Sequence, residues 1–236
     1  MSDQHTKDQL EYYDKHTADY EKGGLLQRGL SRAYERKARI IHEQLVAIGA
    51  NRVLEIGAGS GLMTYFLVNM FDGEYVALDL SAEMLKVAEN RINNDSVKYV
   101  IGDGTAPEFE EASFDAIVGV DIIHHIENPI TAFANWKGLV RPGGQMIFLE
   151  TNVYNPLNLR NIGVEHEVRS FLNTDKNLTK WSKEGGWGSV SVTPSPSYTP
   201  SGPRLLEPLF DFIDRISVKI PLWNRLTALW LIVNTK

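Results

Sequence analysis

Short apolar runs and amphipathic repeats alternate through the middle of the chain. Apolar runs of strand length end near positions 56, 79, 101, 120 and 150, and repeats of three and four follow several of them. Such alternation predicts a parallel sheet built from βαβ units, and therefore an α/β fold. The predicted strands are Val53–Ile56, Glu74–Asp79, Val97–Ile101, Phe114–Val120 and Met146–Glu150.

Caps and turn residues mark the ends of the predicted helices. An apolar face from Leu30 to Ile48 predicts a helix that ends at Gly49. Ser81 is expected to cap the helix after the second strand. Asn128 and Pro129 supply an N-cap and a first-turn proline for the helix after the fourth, which the run RPGG (141–144) should stop.

The sequence after Glu150 predicts fewer regular elements. We expect a helix over 175–183, a strand over 187–192 and a last strand over 229–233. Between these strands, a Pro/Ser stretch (194–203) disfavours regular structure, and an apolar, helix-like stretch follows it. For this stretch an acceptor-pocket wall or a homodimer face is favoured over peripheral contact of 204–226 with a lipid surface.

Composition narrows the function further. The 236 residues carry a net charge of −6, which gives no general reason to bind nucleic acid. No cysteine is present, so disulfides, thiolate zinc sites and a cysteine nucleophile are excluded, and no metal site is predicted. The polar start of the chain and the lack of a long apolar run predict a cytoplasmic protein with no transmembrane segment.

A glycine-rich turn joins the first predicted strand to the next helix. Gly57, Gly59 and Gly61 alternate there, and Glu55 lies two residues before the first of them. Glycines at such a turn let the backbone approach a ligand closely, while the helix amides face it. The dinucleotide fingerprint would place its third glycine at position 62, which is Leu62, and this disfavours an NAD-dependent dehydrogenase.

Acidic residues also end the next two predicted strands. Asp79 closes the second strand, and Asp103 follows the third between two glycines. Ligands of open α/β sheets bind outside the carboxyl ends of the strands, where these acids should meet Glu55. Asp79 is suited to accept hydrogen bonds from both hydroxyls of a ribose, and Asp103 from an adenine amino group.

Five motifs occur in the order typical of one family. VLEIGAGSG, VALDLS, IGDGTAPEF, FDAIVGVDIIHHIENP and RPGGQMIFLE, between about residues 50 and 150, resemble those of class I S-adenosylmethionine (SAM)-dependent methyltransferases. The similarity is strongest to the small-molecule group that includes the ubiquinone and menaquinone C-methyltransferases. It implies a Rossmann-like, mainly parallel seven-stranded sheet with helices on both faces. The last strand would run antiparallel between strands five and six.

The resemblance also implies which residues hold the cofactor. Glu55, Gly57 and Gly59 would line its methionine part, Asp79 its ribose and Asp103 its adenine, with Leu80 and Thr105 packed beside the base. The full expected cofactor set is Glu55, Gly57, Ala58, Gly59, Asp79, Leu80, Asp103, Gly104, Asp121 and Tyr20. An Asn-Pro-Pro-Tyr motif is absent after strand four, which argues against methylation of nucleic-acid bases.

Two histidines follow the fourth strand. His125, in the run HIENP, resembles the His–acid–Pro turn of quinone and tocopherol methyltransferases, and His124 precedes it. Either could accept a proton from an O–H or N–H acceptor, or could simply order the turn. His166 is a further candidate, and Tyr12, Tyr13 and Tyr20 are candidates for a lid over the cofactor.

These interpretations divide the chain into four segments. They are an N-terminal helical cap or lid (1–50), a SAM-binding domain (51–193), a helical insertion (194–226) and the last strand (227–236). The predicted function is methyl transfer from SAM, which leaves S-adenosylhomocysteine (SAH), to an O, N or C atom of a small molecule. The alternative is a protein that binds SAM or SAH without methyl transfer.

Overall fold

The computed structural model describes most of the predicted α/β region. It covers residues 28–92, 94–155, 171–195 and 229–236, with isolated positions at 7, 10–12, 14, 15, 212, 216, 220 and 227. The helices are α1 (Arg28–Ala47), α2 (Leu62–Val68), α3 (Ala82–Ile92), α4 (Pro129–Leu139) and α5 (Asp175–Glu184). The strands are β1 (Arg52–Ile56), β2 (Glu74–Asp79), β3 (Val97–Ile101), β4 (Phe114–Val120), β5 (Val140–Thr151), β6 (Ser189–Ser195) and β7 (Leu229–Thr235).

The seven described strands form one sheet in the order β3-β2-β1-β4-β5-β7-β6. Strands β1 to β5 pair in parallel, whereas β7 runs antiparallel to both β5 and β6. The expected fold class is therefore confirmed, including the last strand between the fifth and sixth. The carboxyl ends of β1 to β5 lie together and are called the carboxyl edge below.

Helices cover both faces of the sheet and bury two apolar clusters. On one face, Phe133 and Trp136 of α4 stack with Phe148 of β5, with ring centroids 4.9 to 5.2 Å apart in successive pairs. On the other face, Ala38 and Ile41 of α1 are fully buried against β1, β4 and α2. These packed layers hold the carboxyl edge in place. None of the described helices is long and apolar enough to cross a bilayer.

The predicted caps are present. The Asn128 side chain accepts a hydrogen bond from the Thr131 amide at 3.2 Å, with Pro129 in the first turn of α4. The Ser81 hydroxyl accepts from the Met84 amide at 3.1 Å at the start of α3. Helix α1 ends before Gly49, whose φ of +59° is the left-handed conformation that glycine adopts without strain.

Two strands begin or end elsewhere than the sequence predicts. Strand β5 starts at Val140 rather than Met146, because Val140 pairs with Phe114 before a shift in register that includes RPGG in the strand. Strand β6 spans Ser189–Ser195 rather than 187–192, because Trp187 is buried and donates to the Phe133 carbonyl at 3.0 Å. Pro194 is tolerated there because β6 lies at the edge of the sheet.

Candidate active site

The three loop glycines are required for three different reasons. Each has a positive φ, between 53° and 75°. A Cβ on Gly57 would lie 2.7 Å from the Ile122 side chain, and one on Gly61 would lie 2.7 Å from Ala88 of α3. A Cβ on Gly59 would meet nothing within 4 Å. Gly59 is therefore the point of the loop that faces open space, whereas Gly57 faces protein rather than the expected cofactor.

Glu55 is buried beneath this loop. Its side chain is held at one oxygen, Oε2, which accepts from the Thr64 hydroxyl at 2.6 Å and from the Tyr75 hydroxyl at 2.9 Å. Burial raises the pKa of Glu55 to about 7, although both hydrogen bonds act against this rise. The carboxyl group thus links β1, α2 and β2, and its charge is sensitive to pH near neutrality.

Asp79 connects the end of β2 to the glycine loop. Its Oδ2 accepts from the Gly59 amide at 2.7 Å, and its Oδ1 accepts from the Ser81 amide at 2.9 Å. Burial raises the pKa of Asp79, while the amide hydrogen bonds oppose that effect. Each oxygen has a second lone pair, so the carboxylate can still accept from a ligand at the carboxyl edge.

Asp103 is fixed by its own turn. Its Oδ1 accepts from the amide of Thr105 at 2.8 Å and from the hydroxyl of Thr105 at 2.7 Å. Helix α4 holds this turn from behind, because the Trp136 indole donates to the Gly104 carbonyl at 2.7 Å and Asn135 donates to the Thr105 carbonyl at 2.9 Å. A Cβ on Gly104 would lie 2.8 Å from Ile56, so the turn packs directly on β1.

Asp121 follows β4 in a left-handed backbone conformation, with a φ of +51°. Its carboxylate pairs with the Lys37 ammonium of α1 and accepts from the Thr151 hydroxyl at 2.9 Å. Burial opposes the charge, but Lys37, together with His124 and Thr151, holds the pKa of Asp121 below its usual range. Strained backbone of this kind is concentrated at functional sites. An ion pair therefore ties α1 to the carboxyl edge.

Glu150 ends the exposed part of no surface: it is fully buried at the carboxyl end of β5. Its Oε1 accepts from the amides of Ile122 and Ile123, both at 2.7 Å. Its Oε2 lies 3.1 Å from Nδ1 of His124 and accepts from the Asn173 side chain at 2.6 Å. The turn that carries both candidate histidines is thus built on this carboxyl group.

The candidate histidines differ in exposure. His124 is buried, whereas His125 is half-buried, and their ring centroids lie 4.0 Å apart with the planes at 43°. Both lie in a short 3-10 turn, Ile123–His125, directly after β4. The structure therefore places them at the carboxyl edge beside Asp121, as the sequence predicts.

The expected cofactor residues converge on β1 to β4. Ala58 is buried within the glycine loop and Leu80 is half-buried after β2. Tyr13, Tyr20 and His166 lie outside the described residues, so their expected roles stay predictions. Among the lid candidates, Tyr12 is described and half-buried.

Sequence reasoning did not single out Lys37, Glu150 or Asn173. Lys37 carries a readable signal, because it interrupts the apolar stripe that runs through Tyr34 and Ile41. Glu150 ends an apolar strand, as Glu55 and Asp79 do, and the same rule could have found it. Asn173 has no such signal, since it reaches Glu150 from a loop 23 positions further along the chain.

An open, mainly parallel sheet with acids converging at its carboxyl edge defines a Rossmann-like α/β enzyme fold. Residues 54–148 match the family described as "Methyltransferase domain". The chain belongs, through this domain, to the class I SAM-dependent methyltransferases, and the resemblance seen in its motifs is confirmed.

Relatives of known sequence support the same family. An uncharacterised methyltransferase of Mycobacterium bovis is 35% identical over 105 residues, which is 44% of this chain and 52% of that protein. A demethylmenaquinone methyltransferase of Renibacterium salmoninarum is 26% identical over 182 residues, 66% of this chain and 74% of that protein. The chain thus spans about half the length of the mycobacterial relative.

Solved structures share the fold at low sequence identity. A SAM-dependent methyltransferase of Thermotoga maritima superposes with a TM-score of 0.67 at 16% identity, over 96% of this chain and 99% of that one. Phosphoethanolamine N-methyltransferase 2 of Haemonchus contortus, solved in complex with SAM, gives a TM-score of 0.56 at 21% identity, over 82% and 52% of the two chains.

Proposed function

We propose that this protein transfers the methyl group of SAM to an O, N or C atom of a small-molecule acceptor. The observation that carries the proposal is the open position above Gly59. The loop reaches its closest approach to solvent there, at a residue whose amide is tied to the Asp79 carboxylate at 2.7 Å. A loop without side chains beside a partly buried carboxylate suits a nucleoside with a ribose diol.

The residues present fit SAM in chemistry as well as in shape. Asp79 offers a remaining lone pair on each oxygen to the ribose hydroxyls. The turn at Asp103, held by Thr105 and by α4, would border the adenine, with Leu80 nearby. The names of the relatives agree with this assignment, because the Haemonchus enzyme was solved with SAM and its neighbours are methyltransferases.

When bound, SAM supplies a methyl carbon to which the acceptor's lone pair forms a bond as the carbon–sulfur bond breaks, leaving neutral SAH. The chain's own task is to align the acceptor, exclude water and remove a proton when the acceptor is an O–H or N–H group. His125 is our candidate for that proton, because it is half-buried at the carboxyl edge directly after β4.

A small-molecule acceptor is favoured by what surrounds the edge. Tyr154 follows β5, and Phe171 and Leu172 precede α5; each is 42% to 50% exposed. Asn173 ties the second segment to Glu150, so these apolar side chains flank the end of β5. Apolar walls around a few polar groups are typical of small-molecule sites. The relatives named for quinone precursors act on molecules of that kind.

The test is transfer of label from tritiated [methyl-³H]SAM into a deproteinised cell extract, separated into aqueous and lipid fractions. We expect label in a small-molecule fraction. The variant Gly59→Asn should remove it, because asparagine tolerates a left-handed backbone but places a side chain in the open position. Label found only in added protein or nucleic acid would contradict the acceptor class. Binding of SAH without any label transfer would favour the non-transferring alternative.

A further inference from the structure

We propose that Glu150 is a positioning residue for methyl transfer. It holds the turn after β4 and fixes a proton on Nδ1 of His124, and through the stacked ring of His124 it sets the orientation of His125. The inference rests on the proposed function, since it concerns the acceptor side of the same site. Its starting point is a carboxyl group with no exposed surface.

The donors to Glu150 come from other parts of the chain. Two are backbone amides, those of Ile122 and Ile123, which lie 28 and 27 positions away. A third is the Asn173 side chain, 23 positions away, at 2.6 Å. A buried carboxylate is costly unless it is fully hydrogen-bonded, so these contacts are required for the group to remain charged. Glu150 therefore joins the turn after β4 to the segment before α5.

These contacts decide the state of the His124 ring. Backbone amides and the asparagine Nδ2 can only donate, so Glu150 acts as an acceptor at each of these three contacts. Its remaining contact is with Nδ1 of His124, at 3.1 Å, in a place where both side chains are almost fully buried. An ionised Glu150 accepts there too, which puts a proton on Nδ1. Carboxylates fix histidine tautomers in this way.

The effect passes to His125 through direct ring contact. The two imidazoles lie 4.0 Å apart between centroids, so movement of the buried ring displaces the half-buried one. The charged groups around the pair come from three elements: Glu150 of β5, Asp121 after β4, and Lys37 of α1, which pairs with Asp121. Among these, Glu150 is the group in direct contact with the His124 ring through Nδ1.

The tautomer of His124 is measured by ¹⁵N imidazole NMR on the full chain, with SAH present. We expect the Nδ1 resonance of His124 to be that of a protonated nitrogen across the neutral pH range. An unprotonated Nδ1 in the wild-type chain would overturn the proposal, whatever any variant does. This measurement needs no substitution, so it remains decisive if a variant fails to fold.

The matched variants are Glu150→Gln and, as an exposed control, Glu110→Gln from the loop before β4. The glutamine amide donates towards either His124 or Asn173, so it cannot accept from all four partners. Glu150→Gln should bind SAH with unchanged affinity, shift the His124 resonances and lower label transfer about 10- to 100-fold, as expected for a misplaced group. The Glu110→Gln variant should match the wild type.

The outcomes separate this inference from the proposed function. A folded Glu150→Gln variant that transfers label at the wild-type rate would overturn the positioning role, while SAH binding and wild-type transfer would still support the proposed function. A wild-type chain that neither binds SAH nor transfers label would overturn the proposed function. In that case the NMR result alone would report on the tautomer.

Discussion

The carboxyl edge has two halves that are held together differently. On the β1–β3 half, Asp79 and Asp103 each accept from the amide two residues further along, and Asp79 also accepts from Gly59. On the β4–β5 half, Asp121 pairs with Lys37, 84 positions away, and Glu150 is satisfied by groups 23 to 28 positions away. The first half is made of local turns, and the second of long-range contacts.

This difference separates two kinds of function. A local turn keeps its shape wherever the fold presents it, which suits a cofactor that many enzymes share. Long-range contacts depend on how α1 and the segment before α5 pack against the sheet. The β4–β5 half can therefore change its acceptor while the cofactor half stays the same, in line with sites being grafted onto common folds.

The largest effect should come from the Lys37–Asp121 pair. Lys37→Met leaves Asp121 largely buried without its cation, which should lower the free energy of unfolding by about 3 to 5 kcal/mol. Adding Asp121→Asn should recover part of that loss, because the uncompensated charge is then removed. Urea denaturation of both variants measures the difference.

The control for this prediction is Arg39→Met on the same helix. Arg39 pairs with Glu35 at 2.7 Å on the exposed face of α1, so its removal should cost less than about 1 kcal/mol. Equal losses for Lys37→Met and Arg39→Met would show that long-range pairing does not distinguish the β4–β5 half.

The next effect is a pH dependence on the cofactor half. Burial raises the pKa of Glu55 from 4.5 to about 7. An acid with a higher pKa in the folded chain binds more protons when folded, so stability falls as pH rises between these values. The fall should reach about 3 kcal/mol, and Glu55→Gln should remove it. Urea denaturation between pH 4.5 and 8 measures it; the same slope in both chains would contradict the assignment.

The smallest effect should come from one local turn. Thr105→Val removes the hydroxyl donor to Asp103 but keeps the amide donor of the same residue. We expect a loss of about 1 kcal/mol in the free energy of unfolding, the usual net value of one hydrogen bond. Thr131→Val, on the exposed face of α4, is the control. A loss as large as that of Lys37→Met would remove the contrast between the halves.

The same contrast explains how much could be predicted from the sequence. The second, third and fourth strands, both helix caps and the acids at the ends of β1 to β3 depend on residues close together in the chain, and the predictions for them are confirmed. The pairing of Val140 with Phe114 and the insertion of Trp187 against Phe133 depend on tertiary packing. So do the contacts of Lys37 and Asn173, which no local pattern contains.

Gly57 shows the limit from the opposite direction. Its position in the motif predicts contact with the cofactor, yet the space beside it is filled by Ile122, from the turn after β4. Gly59, two residues further, faces the open position. A motif indicates that glycines are needed but not which neighbour requires each one.

The most direct test of the cofactor site is calorimetric titration with SAH. We compare the wild-type chain with Asp79→Asn and with Asp95→Asn, an exposed aspartate in the turn before β3. The loss of charged hydrogen bonds to the ribose should weaken binding by Asp79→Asn about 10- to 100-fold, and Asp95→Asn should leave it unchanged. Unchanged SAH affinity in a folded Asp79→Asn variant would contradict the placement of the cofactor at β1–β2.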